Sequence, residues 1–479
     1  MKKPLILKSR VRQGELGITI ALVALAMVAI IGMAVLSIDL VTLYLAREEA
    51  QRSADAAALA AARVLSISGI TGDPDNSTTH WSAICGPNGA AKHAAQALAA
   101  ENAVGSQTSP TVTVTYSAGT DGTVGTATSD CTTLTTSAFG VNPMVTVQLT
   151  QAGLPNFFSR FWGASPNSVT VSATAEAFNP SGSAGGNETT GTITPVQPRC
   201  VKPWVIPNLD PIGGGPLVDR ATGAIQRPGI SLNGAGATGV IGETFWLVPD
   251  CKHGNPNYCD LIVQPQVNYN DGSGFMRGPP NTLGLPGQVG TAVTGLPSCS
   301  GGDPYESAIE GCDAPTNYQC GVPNANAVDL TKHNPGVNSI TDGIECLIHQ
   351  TDASNITTSS GQDYLSQTPL GAPSSYPFQI LAGSSNPMGA TFAGTPITSS
   401  NSIISMPIYD QIAKPAVPTN AVSNLTFVGF LQVFINAVDV NGNRSLTVLN
   451  VSGCGNGTNP TGSPVTGTSP VPIRLITPP

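Results

Sequence analysis

Cys346 and His349 stand three residues apart in Cys346-Leu-Ile-His349, a spacing that could begin a zinc site. Zinc needs several clustered soft ligands, usually from C-x-x-C or H-E-x-x-H elements, and the chain has neither. The pair therefore reads as a disulfide cysteine beside an ordinary histidine. His80, His93, His253 and His333 show no ligand spacing. Gly234–Gly239 (GAGATG) fits G-x-G-x-x-G formally, but a dinucleotide site needs a helix after it, and the following VIGETFWLV reads as strand. Asp439-Val-Asn441-Gly-Asn443 has the start of a calcium loop without the sixth-position Gly or the later Glu, so a hairpin turn is expected. No G-x-S-x-G elbow occurs. Catalytic triads are made by geometry and not by order, so a Ser/His/Asp set from distant positions stays open. The expectation is a non-enzymatic chain without cofactor or metal.

The elements around these residues are unlike those of a helix-rich cytosolic enzyme. Only 10% of the 479 residues are charged, with 53 Gly and 40 Pro. Long soluble helices need more charge on their wet faces. Ten cysteines (Cys85, Cys131, Cys200, Cys251, Cys259, Cys299, Cys312, Cys320, Cys346 and Cys454) in such a body read as disulfides of an exported protein. Their connectivity is open. Cys251/Cys259 and Cys312/Cys320, each enclosing seven residues, suit small disulfide loops.

Leu16 to Ile38 is a charge-free run of 23 residues. As a helix it spans about 35 Å, enough for a hydrocarbon core of roughly 30 Å. It is longer than a cleaved signal's apolar region and leads into more helix, so a retained anchor is expected. Lys2, Lys3, Lys8, Arg10 and Arg12 precede it without any acidic residue, which orients the N-terminus to the cytoplasm. The remaining 15 basic and 29 acidic residues make an acidic body, which argues against nucleic acid as a partner.

Beyond the run, Asp39 to Ser66 continues as helix, with Glu48–Arg52 and Arg52–Asp55 at pairing distance. Ala46, Ala50, Ala54, Ala58 and Ala62 recur every four residues, a small-residue ridge against which the chain's own domain or a partner could pack closely. With Asp55, these alanines are the candidate partner-binding residues. A loop over 69–88 and a helix over 90–103 follow. Thr111–Tyr116, Met144–Thr150 and Ser168–Phe178 then alternate as half-buried strands do. Phe157–Trp162 (FFSRFW) concentrates aromatics as a core plug or a membrane-surface contact. Residues 179–199 read as a Gly/Ser/Thr/Pro linker. From Cys200, short strands such as Thr244–Val248 and Leu261–Val267 alternate with turns, and Phe427–Val438 with Ser445–Val451 flank an Asn-Gly hairpin turn. The tail from Gly455 is turn-rich.

Arg12 to Leu65, with Gly14, Asp39, Tyr44 and above all the Gln51-to-Ala62 run QRSADAAALAAA, resembles the N-terminal module of TadE/TadG-like Flp (tight adherence) pilus-assembly proteins. The Ala-rich helix ending in Glu101-Asn102, the strands, the Pro-Phe-Phe element and SVTVSATAEAF resemble such proteins more loosely. The resemblance implies a single-pass bacterial inner-membrane protein with a periplasmic or extracellular body. Its partners would be pilus-assembly proteins and further copies of the chain. Pilin-like members place a Glu five residues after the processing Gly, where this chain has Thr19 counting from Gly14, so cleavage there is not expected. Larger members can carry a von Willebrand type A domain, whose Asp-x-Ser-x-Ser loop Asp271-Gly272-Ser273-Gly274-Phe275 does not complete.

The expected fold is thus a membrane-anchored α+β chain, with one N-terminal transmembrane helix continuing into an Ala-rich helix, then a β-rich, disulfide-containing ectodomain. Its expected divisions are a basic tip (1–13), the helix (14–66), an α+β domain (67–178), the linker (179–199) and a cysteine-containing β domain (200–479). The expected role is anchoring and recognition in pilus assembly. The competing role is a membrane-anchored adhesin or carbohydrate-binding protein, suggested by the Gly/Asn/Thr-rich second half.

Overall fold

The computed structural model describes residues 13–74, 76, 80–108, 110–120, 123–134, 139–155, 165–183, 196–198, 201–210, 212–231, 239–247, 268–269, 274–275, 306, 309–311, 318, 320–329, 337–354, 360–366, 378–410, 422–454, 465–467 and 469–476. The basic tip, the FFSRFW segment, Leu261–Val267, Cys251, Cys259 and most of the glycine run 234–239 lie outside the described residues.

Helix α1 runs unbroken over Gln13–Ile67. Its sequence has no Pro, and its outer half is built from Ala, Leu, Arg and Glu, the strongest helix formers. It stops where Gly69 takes the left-handed conformation (φ 70°). Two more helices follow, α2 (Trp81–Cys85) and α3 (Ala90–Glu101). Strands β1 (Thr111–Thr120), β3 (Pro143–Leu154) and β4 (Asn167–Ala177) lie where the alternating segments predicted them, and a short β2 (Thr123–Val124) that no segment predicted pairs with β1. Hydroxyl pairs Thr146–Thr174 and Thr150–Thr170 join β3 to β4.

The later strands are β5 (Trp204–Pro207), β6 (Thr244–Leu247), β7 (Ile403–Tyr409), β8 (Phe427–Val438), β9 (Arg444–Gly453) and β10 (Ile473–Ile476). Two sheets organise them. The smaller has the order β10-β4-β3-β1-β2. The larger has seven strands: Asn268–Tyr269, β6, β9, β8, β7, β5 and Gly274–Phe275. Within it β7–β8, β8–β9 and β6–β9 are antiparallel, while β5–β7 is parallel. Every residue of β7, β8 and β9 is buried, so both sheet faces are covered. That explains why FVGFLQVFINAV is a nearly continuous apolar run without strict alternation.

The predicted hairpin joins β8 to β9. Asp439 Oδ1 accepts from the Asn441 and Asn443 N–H groups, and Asn443 Nδ2 donates to Oδ2. Gly442 supplies the positive φ of 73°. The carboxylate is thus used to hold the turn.

The chain divides into two compact units that interleave along the sequence. The first comprises Met1–Ala54, Ala99–Thr113 and Gln148–Ser172; the second comprises Asp55–Leu98, Val114–Val147 and Ala173–Pro479. In the second unit the stretch read as a linker contains a helical turn (Pro180–Ser183) and a strand (Val196–Pro198) with buried residues. The turn-rich tail likewise supplies β10, which pairs antiparallel with residues 174–177 of β4. Non-local pairing of this kind leaves no mark in local composition.

Two disulfides are fully described, Cys85–Cys131 and Cys320–Cys454. The second settles one pairing that the sequence left open, and it is not the Cys312/Cys320 loop that the spacing suits. Cys320 sits beside Phe427 through a β-bridge, and this brings it to Cys454 after the end of β9. Cys346 is also disulfide-bonded, as the reading of the Cys346/His349 spacing supposed.

Candidate functional site

The first unit carries the long apolar surface of α1. From Ile18 to Leu45 its large hydrophobic side chains, Val35 and Leu43 apart, stand 48–69% exposed. Ile18 to Ile38 spans about 31 Å at roughly 1.5 Å per residue. The helix is therefore long and apolar enough to cross a membrane. At Asp39 the pattern changes. Asp39 is buried, Thr42 Oγ1 donates to its carbonyl, and Ala46, Ala50 and Ala54 are buried on the same side. The opposite side, with Leu40, Val41, Tyr44 and Leu45, stays exposed.

Two contacts fasten this stretch inside the first unit. The Gly105 N–H donates to Glu49 Oε2 at 2.8 Å, and Gln51 Nε2 donates to the Ser172 carbonyl. Gly105 allows the close approach: it has φ 56°, and a Cβ there would lie 2.5 Å from Leu154 Cδ2. The pairs expected of Arg52 with Glu48 and Asp55 are not formed among the described residues. Glu49, not singled out by spacing, is a carboxylate that holds backbone here. In the second unit, Ser66 Oγ donates to the Val471 carbonyl, Arg63 Nε to Thr398 O, and Asn450 Nδ2 to Ser66 O.

The predicted ridge is a packing surface of the chain itself. Ala46 is 3% exposed, and Ala50, Ala54, Ala58 and Ala62 are 0% exposed. Asp55 beside them is half-buried. Small side chains every four residues let backbone approach backbone, and the fold uses that approach internally. The five basic residues Lys2, Lys3, Lys8, Arg10 and Arg12 lie outside the described residues.

With this geometry in view, the comparison that bears on function falls on α1. Residues 17–64 match the family model of Flp pilus-assembly TadE/G-like proteins, the Tad family. The Tad-like segment is roughly a tenth of the chain and coincides with the apolar sleeve and the ridge. No curated protein and no solved structure matches the chain.

Outside the Tad-like segment, three buried clusters in the second unit hold ionisable groups. His349 sits just after helix α4 (Val337–Ile348), with φ 60°. The Gln350 N–H reaches back to Glu345 O, which makes this a helix-ending turn with His in place of the usual Gly. Asn401 Nδ2 donates to His349 Nε2 at 3.2 Å, so that nitrogen accepts. Burial holds the imidazole below its ordinary pKa, against the pull of Asp363. Asp363 accepts from Ser400 Oγ, Asn386 Nδ2 and the Gly383 N–H. Ser, His and Asp thus meet here, but the serine donates to the carboxylate and the imidazole is bonded to Asn401. A nucleophilic triad requires Ser–His and His–Asp bonds.

Glu243 is buried beside Asp210, which forms an ion pair with Arg227. Burial first, then the Asp210 charge and a shared hydrogen bond, push Glu243 up to about 9. Lys202 is buried and donates to the Ile309 and Gly311 carbonyls at 2.6 Å. Burial lowers it to about 7, with Glu310 opposing. Among the described residues no group of three or more His, Cys, Asp or Glu side chains could hold a metal.

Proposed function

We propose that the chain is an inner-membrane component of Flp/Tad pilus assembly, anchored by α1 with its body in the periplasm. It works by anchoring and protein–protein recognition and makes or breaks no bond. One observation carries this reading: the segment matching the pilus-assembly family model is the same segment whose apolar side chains stand exposed along a span of bilayer length. Exposing so large an apolar surface to water is unfavourable by about 25 cal/mol per Å², and a bilayer removes that cost. Disulfides in the body support an oxidising compartment on the far side.

The test is protease access on intact, outer-permeabilised and fully permeabilised cells, combined with a deletion strain. The body should be cut once the outer membrane is opened, and deletion should abolish Flp pili. A body cut only after the inner membrane is opened refutes the topology. Unchanged pili in the deletion strain refute the pilus role. Glycan or matrix binding by the full chain with pili intact would support the adhesin reading instead.

A further inference from the structure

Beside the exposed face of α1 in the first unit lies an open groove of about 430 Å³, within the roughly 300–1,000 Å³ range of small-molecule clefts. Leu40, Leu43, Tyr44 and Arg47 line it from the helix, and Val169 and Thr170, with neighbouring Ser168, from β4. Its composition is graded. The end nearer the sleeve is aliphatic, the middle carries the Tyr44 ring (64% exposed), and the far end carries Arg47. Arg47 is the only ionised residue lining the groove and has no hydrogen bond or ion pair among the described residues. Two hydroxyl side chains, Ser168 and Thr170, stand on the exposed face of β4.

The position of this groove along the helix gives it meaning. If Ile18–Ile38 fills the hydrocarbon core, Leu40 and Leu43 stand about 3–8 Å beyond its edge, and Tyr44 about 9 Å beyond. Roughly 5–8 Å on each side of a bilayer is headgroup. Helical side chains lean toward the N-terminus, so the long stem of Arg47 carries its guanidinium back into that layer. Tyrosine is an ordinary residue of this layer, and a guanidinium matches phosphate by bidentate bonding.

We propose that this groove holds a phospholipid, with its phosphate on Arg47, its glycerol region against Tyr44 and the β4 hydroxyls, and an acyl chain running past Leu43 and Leu40 onto the sleeve. The inference rests on the membrane-anchor reading. Two features select lipid over a protein occupant: the groove is continuous with the apolar sleeve, and among the described residues its one charge is positive and unpaired.

The test is reconstitution of the full chain in phosphatidylethanolamine/phosphatidylglycerol vesicles, extraction in mild detergent, and native mass spectrometry to count retained phospholipids. Carbonate extraction of the same vesicles reports anchoring separately. The wild-type chain should retain one phospholipid. Arg47→Lys should retain it, and Arg47→Glu should lose it by at least tenfold in occupancy, with all three resisting carbonate. Equal retention by wild type and Arg47→Glu overturns the proposal, as does a carbonate-resistant wild type that retains none. Cross-linking of Tyr44-containing peptides to a second copy instead of to lipid also overturns it. Release of the wild-type chain by carbonate overturns the anchor reading itself.

Discussion

Replacing Glu243 by Gln should stabilise the protein at neutral pH, and the gain should depend on pH in a specified way. In the folded chain Glu243 keeps its proton up to about pH 9, because burial and the Asp210 charge oppose ionisation while Arg227 favours it. In the unfolded chain the carboxyl releases its proton near its ordinary value of about 4.5. Between those two values the native state binds one more proton than the unfolded state, so stability falls as pH rises. The fall is about 1.4 kcal/mol per pH unit, which makes roughly 3 kcal/mol at pH 7. Gln has nearly the same shape, carries no charge and can still donate to Asp210, so it removes the penalty and keeps the bond. Lys202 and His349 have the opposite sign, since burial favours their neutral forms and their contribution rises with pH. They cancel when wild type and Glu243→Gln are compared at each pH. The assay is urea unfolding in detergent at pH 5, 6, 7 and 8, followed by tryptophan emission from the second unit, which contains Trp81, Trp204 and Trp246. The stability difference should be near zero at pH 4.5–5 and widen steadily through pH 8. A difference that does not change with pH, or a variant less stable at pH 7, refutes the account of this cluster.

Removing both Cys85 and Cys131 as alanines should cost about 4 kcal/mol by loop entropy for a separation of 46 residues, read as a lower thermal midpoint under non-reducing conditions. Ala58→Leu puts a larger side chain at a position with no exposed surface and should destabilise by roughly 1–3 kcal/mol, whereas Leu40→Ala on the exposed side should leave solution stability nearly unchanged. Gly69→Ala should cost about 1–3 kcal/mol: φ is 70°, and the new Cβ would stand 2.5 Å from both Ile241 Cγ2 and the Leu449 carbonyl. Hydrogen exchange at residues 68–73 would report it.

Elements with a strong local period were legible in the sequence. The 55-residue helix, the strands at 111–120, 143–154 and 167–177, and the β8–β9 hairpin each follow from residue spacing or turn chemistry. What escaped was long-range. Nothing near Cys320 marks Cys454 as its partner, because the β-bridge to Phe427 joins residues more than a hundred apart. Nothing in IRLI indicates that it belongs beside β4. The ridge was visible as a pattern, yet its burial in the chain's own fold depends on what lies across from it. Of the groove, Tyr44 and Arg47 lie in the matched segment, but Ser168–Thr170 reach it only through the sheet.

The pairing of β10 with β4 also constrains when the protein can finish folding. Arg474 and Glu176, joined in an ion pair, are 298 residues apart in sequence. A chain synthesised from its N-terminus exposes β4 long before β10 follows it. During that interval the residue 174–177 edge has no strand beside it, and Ser66 lacks the Val471 carbonyl it bonds in the finished fold. Closure of this sheet is therefore a late event in synthesis, and the interval before it is when the protein is most open to strand addition by another chain.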